Sequence, residues 1–223
     1  MPTELIEAIQ EHALDRVAEL LSRGADPNTG DAKHPEWVPI KSAIEELADG
    51  GPIEAMILLL RSGAVVEGKG TPGDATPLLV AVINKQLEAA RILLGCGANP
   101  NVRDDEGDSP LRMSVEKDDR EMATLLLRCG ADKTINSFGG FSGMTALGRA
   151  VWQLNVPMVK LLLDAGADPE SLDLDFKTAL ERLPPNEMAD PERVAAVKTL
   201  FAQQTRSLSV PVDRFAERLG NGL

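Results

Sequence analysis

Leucine-rich stretches with helical spacing return five times along this chain, and each closes on nearly the same letters. They read LLSRGADPN at Leu20–Asn28, LLLRSGAVV at Leu58–Val66, ILLGCGANPN at Ile92–Asn101, LLLRCGADK at Leu125–Lys133 and LLLDAGADPE at Leu161–Glu170. Within Leu87–Gly95 the apolar positions are Leu87, Ile92, Leu93 and Leu94; within Glu121–Cys129 they are Met122, Leu125, Leu126 and Leu127. Such stripes predict short amphipathic helices. Gly24, Gly63, Gly97, Gly130 and Gly166 end them, because glycine enters the left-handed state past a helix C-terminus at little steric cost. Asp26, Asn99, Asp132 or Asp168 follows two residues later and suits a turn.

The intervals between these glycines are 39, 34, 33 and 36 residues. A period near 33 residues predicts stacked like units rather than one globule with a unique core. Burying each leucine is worth about 1.5–3 kcal/mol. One unit cannot hide its stripe alone, so the units must stack.

A helix-start signal opens each unit. Thr76-Pro77-Leu78 and Ser109-Pro110-Leu111 join a hydroxyl cap to a proline at the first helical position. Val38-Pro39-Ile40 keeps the proline without the cap; Thr145-Ala146-Leu147 and Thr178-Ala179-Leu180 keep the cap without the proline. A short first helix follows, as at Pro77–Val82, and a second runs into the leucine phrase.

Paired-helix units of this length, opening T-P-L and closing L-L-x-x-G-A-D-x-N, resemble ankyrin repeats. The match is closest over Asn101–Asp132, and it spans roughly residues 4–203. Gly107 stands two residues before Ser109, and Gly143 two before Thr145, as in the family's G-x-T. The histidine that usually follows T-P-L is replaced by Leu79, Arg112, Gly148 and Glu181. The resemblance implies an all-α ankyrin-repeat solenoid whose partners bind a concave face lined by first helices and projecting finger loops.

Six units are expected, at about 4–28, 36–66, 74–100, 107–133, 143–169 and 176–203, forming one repeat domain over 1–203. The first serves as the N-terminal cap, with helices at Glu4–Gln10 and Leu14–Ser22. The sixth breaks at Pro184-Pro185 and restarts at Asp190-Pro191-Glu192, with Val194, Val197, Leu200 and Phe201 on its apolar side to about Gln203. Residues 204–223 form a tail in which Asp213 could cap a helix over Arg214–Leu219, either docked on the last unit or left mobile. The long loops Asn28–Trp37, Glu67–Ala75 and Thr134–Met144 should project from one edge as fingers.

Composition narrows the function. Apolar residues make up 43% and aromatics 3%, with no Tyr, so leucine and alanine carry the core. The net charge of −12 disfavours nucleic acid and anionic membrane as ligands and is compatible with a basic partner. Cys96 and Cys129, each just before its unit's glycine, are too far apart on neighbouring helices to bridge. They are expected as free, half-buried thiols in a reducing compartment. The opening MPTELIEAIQEHALD lacks the form of a secretory signal, and no apolar run is long enough for a span. An intracellular, cytoplasmic location is expected.

Several motifs dissolve in context. Gly68–Gly73 has the letters of G-x-G-x-x-G but lies between a helix stop and a helix start, not between strand and helix. Gly63–Lys69 nearly spells a phosphate loop, but Gly70 stands where the Ser/Thr is needed. His12 and His34 lack partners at zinc spacing, no G-x-S-x-G elbow occurs, and Asp104, Asp105, Glu106 and Asp108 do not fit a calcium loop. No catalytic, cofactor or metal residue is assigned.

The expected function is a non-enzymatic module, monomeric alone, that binds another protein. The candidate contacts are Trp37, Asp105, Glu106, Asp108, Arg112, Phe138, Phe141 and Trp152. Exposed aromatics anchor interfaces, and the Phe138-Gly139-Gly140-Phe141 tip cannot easily bury both rings in a local hairpin. The alternatives are an inhibitor or immunity-type protein sequestering a basic partner, a nucleotide-binding enzyme using Gly68–Gly73, and a structural module of a larger assembly.

Overall fold

A computed structural model describes residues 3–208 except Ala32, Glu36, 69–74 and 186–188. The expected tail helix at Arg214–Leu219 and most of the Gly68–Gly73 loop therefore lie outside the described residues. Five helix pairs follow one another: α1 Glu4–Gln10 with α2 Leu14–Ser22, α3 Pro39–Glu46 with α4 Ile53–Arg61, α5 Pro77–Ile83 with α6 Leu87–Gly95, α7 Pro110–Glu116 with α8 Arg120–Arg128, and α9 Ala146–Trp152 with α10 Val156–Asp164. A final helix, α11 Pro191–Leu208, packs on α10. No β-strand occurs among the described residues; Phe138 and Thr145 form an isolated antiparallel bridge.

The first helices make an inner row, α1 against α3, α3 against α5, α5 against α7 and α7 against α9. The second helices lie outside it, with α2 on α4 and α6 on α8. One core runs the length of the stack. Leu59, Leu93, Leu126 and Leu162 each stand four residues before their unit's glycine, and all are fully buried. Leu20 has the same register but retains 8% exposure, because the first unit has a neighbour on one side only. Translation along the stack is thus visible in single side chains.

Both helices of a pair end in the same local device. Past the outer helix the glycines take φ of 90–93°, and Ala25, Ala64, Ala98 and Ala167 donate back to the carbonyls of Leu20, Leu59, Leu93 and Leu162. This is the helix-ending pattern that the leucine phrase predicts. Past the inner helix the left-handed residue is glycine only in the second unit, at Gly50. His12, Lys85, Asp118 and Leu154 occupy the same place elsewhere with φ of 51–54°. The caps fall where expected: Thr76, Ser109 and Thr145 accept from the backbone N–H of Leu79, Arg112 and Gly148, and Val38 makes no such bond.

Three expectations need correction. Cys96 and Cys129 are unbridged but exposed, not half-buried. The buried stripe runs four, seven and eight residues before the glycine, and the residue just before it faces away from that stripe. In the sixth unit the first helix shrinks to a 3₁₀ turn, Leu180–Arg182, halted by Pro184-Pro185. Its second helix, α11, runs to Leu208, past the boundary placed at 203.

Candidate functional site

The loops between units hold one another by a ladder of hydrogen bonds. Asn28 grips the next turn through Gly63 O at 3.0 Å and Val65 N at 2.7 Å. Glu67 accepts from Asn99 N, Asn101 donates to Gly130 O, and Asn136 accepts from Asp168 N. Successive fingers therefore leave the same edge of the stack, as the repeat demands.

The finger over Asp104–Asp108 is a tight hairpin. Asp104 N donates to Asp108 O and Gly107 N to Asp104 O, each at 3.0 Å, with Gly107 at φ 73°. Its last carboxylate turns inward. Asp108 receives Arg112 Nε at 2.5 Å and Nη2 at 2.8 Å, and the two residues are 7% and 4% exposed. The next finger rests on this pair. Gly140 N donates to Glu106 O at 3.0 Å, and a Cβ on Gly140 would lie 2.0 Å from Arg112 Nη2. A bond from Gly143 N to Gly140 O then closes the Phe138–Met144 tip.

This stacking decides where the expected contact residues stand. Phe141 sits on the closed tip and is 99% exposed; Phe138, one bridge away, is exposed to a lesser degree. Trp152, at the end of α9, is 41% exposed, and Trp37 is half-buried with Lys41 Nζ 5.7 Å from its ring centroid. Asp105 and Glu106 are exposed. Asp108 and Arg112 spend their charges on each other, so they hold the fingers instead of offering groups to solvent.

The following finger shows what sequence reading missed. Asp173 N donates to Lys177 O and Phe176 N to Asp173 O, each at 3.0 Å, the pairing seen at Asp104–Asp108. Phe176 thus takes the place that Gly107 holds, at φ 59°, while 81% exposed. Leu174 donates its N–H to Gly143 O and is exposed, as is Leu172. Leu174 and Phe176 thus add exposed apolar groups to the finger that follows the one carrying Phe141. The signal was available: the residue two before Thr178 is Phe176, where the fourth and fifth units have Gly107 and Gly143.

Between the Asp104–Asp108 hairpin, the Phe138–Met144 tip and the inner helices lies an open cavity of about 380 Å³. Ile83, Met113 and Phe141 give it apolar walls; Asp104, Glu106, Asp108 and Glu116 bring carboxylates, and Arg112 and Lys117 cations. Glu116 also receives Arg149 Nη2 at 2.5 Å. Asp104 is the main reason that Glu106 holds its proton above the usual glutamate range, with lesser pressure from desolvation, Asp105 and Asp108. No cluster of three or more His, Cys, Asp or Glu set to hold a metal occurs among the described residues.

The family model described as ankyrin repeats in three copies matches residues 5–104, 43–137 and 78–173. This chain is an ankyrin repeat protein. It is 36% identical over 213 residues to the palmitoyltransferase Hip14 of Drosophila melanogaster, covering 93% of this chain but 31% of that protein. A 33% match over 128 residues to the mitochondrial disaggregase of Bos taurus covers 57% of this chain and 19% of that protein. The chain thus spans about a third or less of these relatives' length.

Among solved structures, a chain in the complex of the predatory endopeptidase Bd0816 from Bdellovibrio bacteriovorus with immunity protein Bd3460 superposes with TM-score 0.71 at 25% identity. The match covers 87% of this chain and 96% of that one. The ankyrin repeat protein EF0377 superposes with TM-score 0.72 at 24% identity, covering 89% and 96%.

Ankyrin repeats are protein-interaction modules, and this one departs from the family at the residue after T-P-L. Where a histidine is usual, the second and fourth units bury Lys41 and Arg112, and the fifth has Gly148. Arg182 Cγ lies 3.7 Å from where a Cβ on Gly148 would stand. Arg182 in turn binds Asp173 at 2.5 Å and Asp175 at 2.6 Å. Burial pushes the Asp173 carboxyl up, but bonds from Arg182 and from the N–H groups of Lys177 and Asp175 outweigh it and hold the pKa below the ordinary value. Arg112 and Arg182 thus each tie a finger carboxylate down onto the stack.

Proposed function

We propose that this ankyrin repeat protein binds a partner protein across its inner helices and finger tips, without catalysing a reaction. One observation carries the reading: Phe141 is 99% exposed on a finger that is itself tightly held. Fully burying such a ring is worth about 1.5–3 kcal/mol. A rigid tip gives up little freedom on binding, so more of that gain becomes affinity. Trp152, Phe138, Leu174 and Phe176 extend the anchor surface, with Trp37, Asp105 and Glu106 at its edges. Asp108 and Arg112 act from beneath by fixing the fingers. We place the protein in the cytoplasm as a monomer when alone, in keeping with its exposed, unbridged cysteines. No helix among the described residues is long and apolar enough to cross a membrane.

The test is affinity capture on the full chain followed by mass spectrometry. A partner should be recovered by the wild type and lost with Phe141→Ser, and weakened with Trp152→Ala. Equal recovery by all three would refute the assignment of this surface.

A second reading is favoured by one neighbour. The solved complex of a predatory endopeptidase with an immunity protein contains a chain of this fold. By that analogy the present chain would silence its partner instead of merely holding it. Assaying the captured partner's own activity with and without the chain separates the two readings.

A further inference from the structure

The cavity between the Asp104–Asp108 hairpin and the Phe138–Met144 tip has a mixed lining that limits what can fill it. Ile83 and Phe141 are exposed apolar groups, and Met113 closes the wall between them. Carboxylates of Asp104, Glu106 and Glu116 stand beside them. Of the two cations present, Arg112 is spent on Asp108 in a buried pair and also reaches Glu116 at 3.6 Å, which leaves Lys117. Among the described residues no Lys or Arg pairs with Asp104, Asp105 or Glu106, whereas Glu116 already has Arg112 and Arg149. The volume, about 380 Å³, is within the range of pockets that enclose a ligand group.

Each class of occupant meets this lining differently. A purely apolar side chain would take carboxylates from water and give them no partner, which opposes binding. An acidic one would meet like charge. A long basic side chain matches both parts, because its methylene stem can lie on apolar surface while its head stays with the charges. Its head can also sit over the face of Phe141, where the ring quadrupole attracts a cation. The crowding of Glu106 by its acidic neighbours is the state that such a head relieves.

We infer that this cavity receives an arginine or lysine from the partner protein, with an apolar neighbour of that residue packed on Phe141. The inference rests on the partner-binding reading above and adds the chemistry of the partner's contact segment.

The experiment selects phage-displayed random peptides on the immobilised full chain and measures the affinity of the enriched peptides. Enriched sequences should pair Arg or Lys with an apolar residue. Their affinity should fall about tenfold or more with Glu106→Lys and with Phe141→Ser, and should weaken with added salt. Both positions are exposed, and retention of the wild-type melt shows that loss of binding is not loss of fold. Enrichment of apolar or acidic peptides, or no enrichment, overturns the inference. So does sedimentation showing that the surface is covered by a second copy of the chain. Binding lost with Phe141→Ser but kept with Glu106→Lys leaves the partner-binding reading standing and removes this one; binding kept in both removes both.

Discussion

Replacing Gly140 by alanine tests whether the buried Asp108–Arg112 pair truly supports the finger above it. Two costs add. Gly140 has φ 62°, and the left-handed state costs an ordinary residue roughly 1–2 kcal/mol, offset in part by the lower chain entropy of alanine. The added Cβ would also stand 2.0 Å from Arg112 Nη2 and 2.8 Å from Asp108 Oδ2. Either the guanidinium leaves, breaking charge-assisted bonds worth about 1.5–3 kcal/mol, or the finger lifts. Lifting gives up the bond from Gly140 N to Glu106 O, worth about 1 kcal/mol, and loosens the Phe138–Thr145 bridge. The molecule takes the cheaper route, so the steric part should cost about 1–3 kcal/mol.

Gly130→Ala is the control. Its φ is 90°, but a Cβ there meets nothing within 4 Å, so only the conformational part applies. Urea titrations followed by far-UV circular dichroism should show Gly140→Ala less stable than Gly130→Ala by that 1–3 kcal/mol. Replacing Asp108 and Arg112 together by Leu and Met should shrink the gap, since a buried pair can give way to apolar residues at little cost. Equal stability of the two alanine variants would refute the reasoning.

Phe176→Gly should hold or raise stability by up to about 1 kcal/mol, because it relieves a left-handed residue that buries little; a clear drop in the urea midpoint would mean that Phe176 is packed after all. Asp173 is held below the unfolded aspartate value of about 3.9, so its contribution is complete above about pH 4 and lost as the pH falls through the lowered folded value. Wild type should therefore lose melting temperature between about pH 4 and pH 2 more steeply than Asp173→Asn, and parallel curves would deny the pair this role. The Glu106 pKa is raised, so its ionised form opposes folding once the pH passes its range. Glu106→Gln should melt slightly higher at neutral pH and low salt, and the gain should fade as salt is added; a lower melt would reverse that sign.

The stack and its punctuation were legible because they are local. Thr76-Pro77, Ser109-Pro110 and the leucine-glycine phrases state helix starts and stops in letters whose backbone consequences do not depend on distant residues. The second left-handed site was not legible, since His12, Lys85, Asp118 and Leu154 carry no glycine to mark it. Phe138, Phe141 and Trp152 could be picked out as aromatics, but their exposure depended on how fingers lie on one another. Phe176 was legible only by register, since it stands two residues before Thr178 as Gly107 and Gly143 stand before Ser109 and Thr145.

Sequence by itself determined the repeat, its helix pairs and the edge from which the loops project, because each follows from short-range sterics and a stripe that must be covered. Tertiary structure alone decided the fate of the charges. Asp108 and Arg112 read as surface groups until two fingers close over them, and whether a carboxylate meets water or a guanidinium is fixed by residues about 30 positions away, such as Gly140 and Ser142. Desolvation acts through space, and only the stacked chain supplies the neighbours that remove the water.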